Sequence, residues 1–153
     1  MSRIISNAST LILLARVSLL RVWLAETGQI AVPIEVYHET TMRKDLLDAK
    51  LIKKSVDEKL ITVLGKDEKR FTFALREFRL DAGEAAAYAA YNTKKHEAIM
   101  TDDAELIKLC KLEEIPFVGA LGITVALHHK KRIKREMALE KIDQLCKIGC
   151  YRK

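Results

Sequence analysis

Cysteine is scarce in this sequence, and what there is has no pattern. Cys110, Cys146 and Cys150 are an odd number at neither disulfide-framework nor zinc-finger spacing, so reduced thiols are expected. Cys146 and Cys150 would share a helix face, yet no His or Cys pair elsewhere completes a thiolate metal site. A long hydrophobic run is also missing. The apolar stretch over 4–25 is interrupted by Asn7, Arg16 and Arg21, too often for a segment that spans a bilayer, so no membrane partner is expected. The basic start and small-residue cleavage pattern of a signal peptide are lacking as well, which leads us to expect a cytoplasmic protein. No internal repeat and no low-complexity linker is seen in the sequence.

What is present is ordinary for a globular protein: 49% hydrophobic and 31% charged residues over 153 positions, so a single domain over 1–153 is the expectation. The formal net charge of +6 favours polyanionic partners, as a bias on association rather than a proof of it.

Ile4 and Ile5 form a short apolar run ending at Ser6 and Asn7, and Leu11, Leu14, Leu19 and Trp23 then follow helical spacing until Gly28. A second strand is expected over 30–32, with Pro33 at the first position of a helix reaching about 48. A third strand is expected over 60–64, and Phe71, Leu75 and Phe78 make another helical stripe. Asp81-Ala82-Gly83-Glu84 opens an alanine-rich helix through Tyr91, small enough in section to lie close on a sheet. Residues 98–101 read as a buried strand, followed by a helix from Asp102 or Asp103 to about Leu112. A last strand falls over 115–118, and two basic helices end the chain. Strands that alternate with helices in this way predict an α/β fold with a mostly parallel sheet covered on both faces. Sites in such folds lie beyond the C-terminal ends of the strands, which draws attention to Asn7, Asp102 and Asp103.

Hard cations such as Mg2+ and Mn2+ take oxygen ligands and keep several waters, so a few carboxylates at one rim are enough to hold them. Each candidate also has a plain structural account. Asp102 can cap the following helix with Glu105 three residues on, but capping needs one acid and the sequence offers two. Glu84 stands three residues after Asp81 in capping-box spacing. Glu39 shares a helix face with Val32 and Val36, pointing inward, with Arg43 one turn on as an ion-pair partner; Glu35 occupies nearly the same face and is its rival. Asn7 is in a position typical of a helix N-cap.

Together these segments resemble the PIN-domain family. The stretches that carry the likeness are Ile4-Ile5-Ser6-Asn7-Ala8-Ser9-Thr10-Leu11, Val32-Pro33 on to Glu39, Leu80-Asp81-Ala82-Gly83-Glu84-Ala85, Ile99-Met100-Thr101-Asp102-Asp103, and Ile115-Pro116-Phe117-Val118-Gly119-Ala120-Leu121-Gly122. None is specific alone; their order and spacing are. The resemblance implies a three-layer α/β/α sandwich around a short parallel sheet and a metal-dependent ribonuclease. Its catalytic positions would be Asn7, Glu39, Glu84, Asp102 and Asp103, with Asn7, Glu39, Glu84 and Asp102 as ligands of Mg2+ or Mn2+ and Ser9 supporting position 7. Many relatives are toxins of VapC-type toxin–antitoxin pairs and many are homodimers, so RNA, an antitoxin protein and a second copy of the chain are the implied partners. The family has aspartate where this chain has Asn7. Loss of that charge should weaken metal binding, and the competing expectation is therefore a catalytically weak module that binds nucleic acid or antitoxin. A receiver-like phosphoryl-transfer domain would place its paired acids after the first strand, whereas here they follow a late one.

The basic run of Lys130, Lys131, Arg132, Lys134 and Arg135, flanked by His128 and His129, could track an RNA backbone. Solvated positive charge at a helix C-terminus explains it as well. Trp23 is expected in the core or at a dimer contact.

Overall fold

The computed structural model describes residues 3–148. Five parallel strands form its centre, β1 (Ile4–Ser6), β2 (Ile30–Pro33), β3 (Ile61–Leu64), β4 (Ala98–Met100) and β5 (Phe117–Val118), in the order β3-β2-β1-β4-β5. The chain builds outward from β1 to β3, returns to the other side of β1 as β4, and continues to β5. The reversal of direction between β1 and β4 opens a crevice at their C-terminal ends. Ile4, Ile5 and Ser6 pair with Ala98, Ile99 and Met100, and the Asn7 N–H extends the ladder one step by donating to the Met100 carbonyl at 2.8 Å.

Parallel strands need crossovers, and helices supply them on both faces. Side chains alternate along each strand. Ile30, Val32 and Met100 enter one core with Leu11, Leu14, Trp23, Ile123, Leu127 and Leu145. Ile5, Ala31 and Ile99 enter the other with Ala85, Tyr88, Leu106, Leu109 and Ile115. Helices α1 (Ala8–Arg16), α2 (Leu20–Thr27), α8 (Ala120–His129) and α9 (Arg135–Ile148) cover the first face, and α6 (Ala82–Ala90) and α7 (Ala104–Leu112) the second. The expected three-layer α/β/α sandwich is the architecture observed. Trp23 is a core residue, its Nε1 directed at Met100 Sδ at 3.3 Å. Among the described residues no single helix is long and apolar enough to cross a membrane; α1 and α2, which carry the apolar N-terminal stretch, are bent by 118° against each other.

Several boundaries differ from expectation. The helix expected from Pro33 to about 48 is two helices, α3 (Ile34–Thr41) and α4 (Leu47–Asp57), and Pro33 ends β2 with an extended ψ of 158° instead of opening the helix. Thr40 and Thr41 bond back to the carbonyls of Val36 and Tyr37, a competition with the backbone that accompanies the end of α3. In α5 (Glu68–Glu77) the buried position is Ala74, whereas Leu75 is exposed, so the proposed aromatic stripe is only partly a core face. The last strand is shorter than expected, and α8 is apolar rather than basic, its charge lying beyond its end. Cys110 is buried and Cys146 exposed; Cys150 lies outside the described residues.

Four helices end the same way without glycine. Ser18, Lys59, Glu114 and Lys131 all have φ between 57° and 63°. In each case the next residue's N–H reaches back five residues, as Ile115 N–H does to Cys110 carbonyl at 2.8 Å. This is the Schellman arrangement, in which glycine is the least strained residue. Replacing Glu114 by glycine should therefore raise stability in urea unfolding by up to about 1 kcal/mol, the relieved left-handed strain being partly offset by chain entropy; Glu114→Val should lower it.

Candidate functional site

The crevice at the switch point is a cleft of about 330 Å³ lined by Asn7, Ser9, Glu39, Glu84, Asp102 and Asp103, with Asp81 at its edge and Ile12, Leu13 and Ile148 as apolar walls. Six elements converge there, α1 supplying Ser9, Ile12 and Leu13. Asn7 follows β1, Glu39 comes from α3, Glu84 from α6, and Asp102 and Asp103 follow β4, while the end of α9 brings Ile148.

Asn7 is 2% exposed and stands at the N-cap position of α1, but its side chain makes no capping bond. Instead Nδ2 donates to Thr101 Oγ1 at 3.2 Å and to Ser9 Oγ at 3.4 Å. The same two hydroxyls accept backbone N–H groups from the other side of the crevice, Thr101 from Asp103 and Ser9 from Asp102, each at 3.0 Å. Position 7 is thus tied to the two aspartates through a shared pair of hydroxyl oxygens.

The aspartates divide their work. Asp103, not Asp102, caps α7, accepting the Leu106 N–H at 2.9 Å. The expected capping role was placed one residue too early, and its rival role shifts with it. The Asp102 carboxylate lies at the N-terminus of α8, where both oxygens face the Ala120 N–H at 3.2 and 3.0 Å and Oδ2 accepts Thr10 Oγ1 at 2.5 Å. Gly119 permits this approach, since a Cβ there would collide with Asp102 Oδ1. The carboxylate thus sits where the positive end of the α8 dipole attracts negative charge.

Asp81 and Glu84 form a complete capping box on α6, with both bonds at 2.8 Å. That structural role does not exclude a second one, because the Glu84 carboxyl also hydrogen-bonds Asp103. Glu39 is exposed at the rim rather than pointed into the core, and its Oε1 rests against Gly83, where any larger residue would displace it. The proposed Glu39–Arg43 ion pair does not occur among the described residues. Glu35 is drawn away to Lys66 as an ion pair at 2.5 Å, so the geometry selects Glu39 over its rival for the cleft.

A family model described as a PIN domain matches residues 3–153 of the chain. The chain belongs to the PIN-domain family. Comparison with curated proteins and with solved structures gives no match. The PIN fold is nuclease-like, which agrees with an acidic crevice at the C-terminal ends of a parallel sheet.

The electrostatics of this PIN domain show what its cleft can accept. Glu84 is pushed up to about 8, first by burial, then by the hydrogen bond to Asp103 and the like charges of Asp103 and Asp81, against the lowering pull of the Asp81 backbone N–H. Two carboxyl groups in hydrogen-bond contact cannot both be ionised cheaply, so they retain a proton near neutral pH. Glu39, although exposed as a residue, is raised as well, by the withdrawal of its carboxyl from water where it rests against Gly83 and then by the charge of Asp81. A cation would relieve the same repulsion, and the oxygen-only donor set of Glu39, Glu84, Asp103 and the Asn7 amide oxygen suits a hard one. Among the described residues, however, no three acids, histidines or cysteines are gathered as a ready-made ligand cluster. The donors line a rim rather than enclosing a cage. Asp102, expected as a ligand, lines the cleft while its carboxylate accepts the Ala120 N–H.

Thr10, Thr101 and the Ala120 N–H were not singled out from the sequence. A hydroxyl directly before paired aspartates, and two more at the start of α1, were the available signal. A larger groove of about 830 Å³, bordered by Tyr37, His38, Met42 and Lys44, shares Glu39 and Asp81 with the cleft.

The raised Glu84 gives a pH test. Its unfolded value is 4.5 and its folded value about 8, so the native state binds more protons in between and stability should fall as pH rises from about 4.5 towards 8. In chelator, the melting temperature of the wild type should show that decline. Glu84→Gln, which keeps the capping bond, should flatten it, and an equally steep decline in the variant would show that another group is responsible.

Proposed function

We propose that this PIN domain is a metal-dependent ribonuclease that hydrolyses RNA phosphodiesters, weakened by Asn7. The observation that carries this reading is the convergence of Glu39, Glu84, Asp102 and Asp103 with Asn7 in one cleft at the switch point, a concentration of carboxylates that a hard cation would neutralise. Glu39, Glu84, Asp103 and Asn7 would hold Mg2+ or Mn2+, with Asp102 able to join by leaving the α8 N-terminus. When bound, the cation would supply an activated water and charge neutralisation at the phosphate. The chain's own groups do the rest. Ser9 and Thr101 orient position 7 and both aspartates through the hydrogen bonds they share. Ile12, Leu13 and Ile148 restrict water on the apolar side. The adjoining groove gives a flanking nucleotide room beside Tyr37 and His38, aromatic rings of the kind on which bases stack.

The partners implied by resemblance stand with this proposal. An antitoxin protein or a second copy of the chain would cover apolar side chains left exposed on α8 and α9, among them Val125, Met137 and Leu139. The second reading, a module that binds nucleic acid or antitoxin without cutting, is favoured by one observation. The Asn7 amide donates Nδ2 to two hydroxyls where a carboxylate would bring charge to the cleft.

Cleavage of single-stranded RNA with Mn2+ separates the two. The chain as it stands should cut slowly, Asn7→Asp should cut about tenfold faster or more because a charged ligand is restored, and Asn7→Asp with Asp103→Asn should lose the gain. An inactive Asn7→Asp across varied RNAs refutes the nuclease reading. Sedimentation of the pure chain would report the homodimer.

A further inference from the structure

The turn joining α8 to α9 carries a concentration of charge that the cleft does not use. Lys130, Lys131, Lys134 and Arg135 are all exposed, and among the described residues none of the four forms an ion pair. The acids bordering the same surface hollow as Lys130 are taken: Glu26 pairs with Arg132 at 2.9 Å and Glu97 with Arg3 at 2.8 Å. Positive charge after the C-terminus of α8 suits the helix dipole, which accounts for Lys130 and Lys131. It does not account for Lys134 and Arg135, which stand at the start of α9, where the dipole disfavours cations and Glu136 is the acid of the first turn.

The turn is also remote from the cleft. Helix α8 begins at Ala120 on the Asp102 carboxylate and runs ten residues, about 15 Å, before the turn starts. Lys130 neighbours Arg3, Ile4, Gln29 and Glu97, at the N-terminal ends of β1, β2 and β4, whereas the cleft lies beyond their C-terminal ends. The single apolar residue of the turn, Ile133, is 7% exposed and packs into the core. Nothing in the turn is thus available to insert into a lipid surface, and the ring beside it is the exposed His129 at the end of α8.

We propose that the α8–α9 turn is a second, non-catalytic contact for RNA, which grips the phosphodiester backbone at the end of the sheet opposite the cleft. The identity of the polyanion rests on the proposed function; the contact itself does not require turnover. Binding is sequence-independent and electrostatic, and the cations that repel one another in the free protein are neutralised by phosphate.

The test measures anisotropy of a labelled single-stranded RNA on the full chain in EDTA, from 50 to 200 mM KCl, so that cleavage plays no part. With Lys130, Lys131, Lys134 and Arg135 all changed to Gln, the dissociation constant at 100 mM should rise about tenfold or more, and the slope of log affinity against log salt should shrink by about 2 to 3. Lys134→Glu with Arg135→Glu should weaken binding while raising the melting temperature, the opposite of what loss of a structural contact does. Unchanged affinity and slope in both variants would overturn the proposal, as would a wild type that binds phosphatidylserine vesicles but not RNA. If the turn behaves as expected and Asn7→Asp still cuts no RNA with Mn2+, the nuclease reading fails and this contact stands.

Discussion

Parallel pairing of β1 with β4 is the constraint on which the site depends. It closes the reversal in strand order, and by extending one step to the bond from Asn7 N–H to the Met100 carbonyl it sets the segment after β1 directly against the segment after β4. Ser9 and Thr101 can then each serve both sides, because a hydroxyl oxygen accepts more than one donor. Helices α6, α7 and α8 all start at this rim, and their N-terminal N–H groups are the protein's own means of holding carboxylates together.

That supply is uneven. Asp102 and Asp103 each have a helix start to themselves, whereas Glu84 accepts one backbone bond and then meets Asp103. Negative charge at the rim therefore exceeds what the helix ends neutralise, and a proton on Glu84 makes up the difference near neutral pH. A hard cation placed there would relieve the same excess of charge. At the other end of α8 the imbalance is of opposite sign, with Lys130, Lys131, Lys134 and Arg135 exposed around the turn.

Much of this was legible in the sequence. The alternation of apolar runs with helical periodicity gave the layers, Asp81 and Glu84 gave the start of α6, and paired acids after a buried strand marked the rim. What misled was local reasoning about single residues. Asp102 reads as well as Asp103 for the α7 cap, because spacing to the following helix differs by one position, and the choice is made by the Ala120 N–H, eighteen residues away. Glu39 and Glu35 share a helix face in the sequence, and Lys66, across the sheet end, separates them. The break between α3 and α4 was hidden because residues 42–46 contain neither glycine nor proline.

The sequence by itself determined the fold class and the family, since periodicity and the order of short motifs are local or additive properties along the chain. It also determined which side chains were chemically able to hold a hard cation. Only the tertiary structure decided which carboxylates meet, because the groups that settle it are helix N-termini and hydroxyls brought in from distant segments. The basic run was visible from the start. Its position opposite the cleft was not, because that depends on the direction in which α8 leaves Asp102, a property of packing rather than of composition.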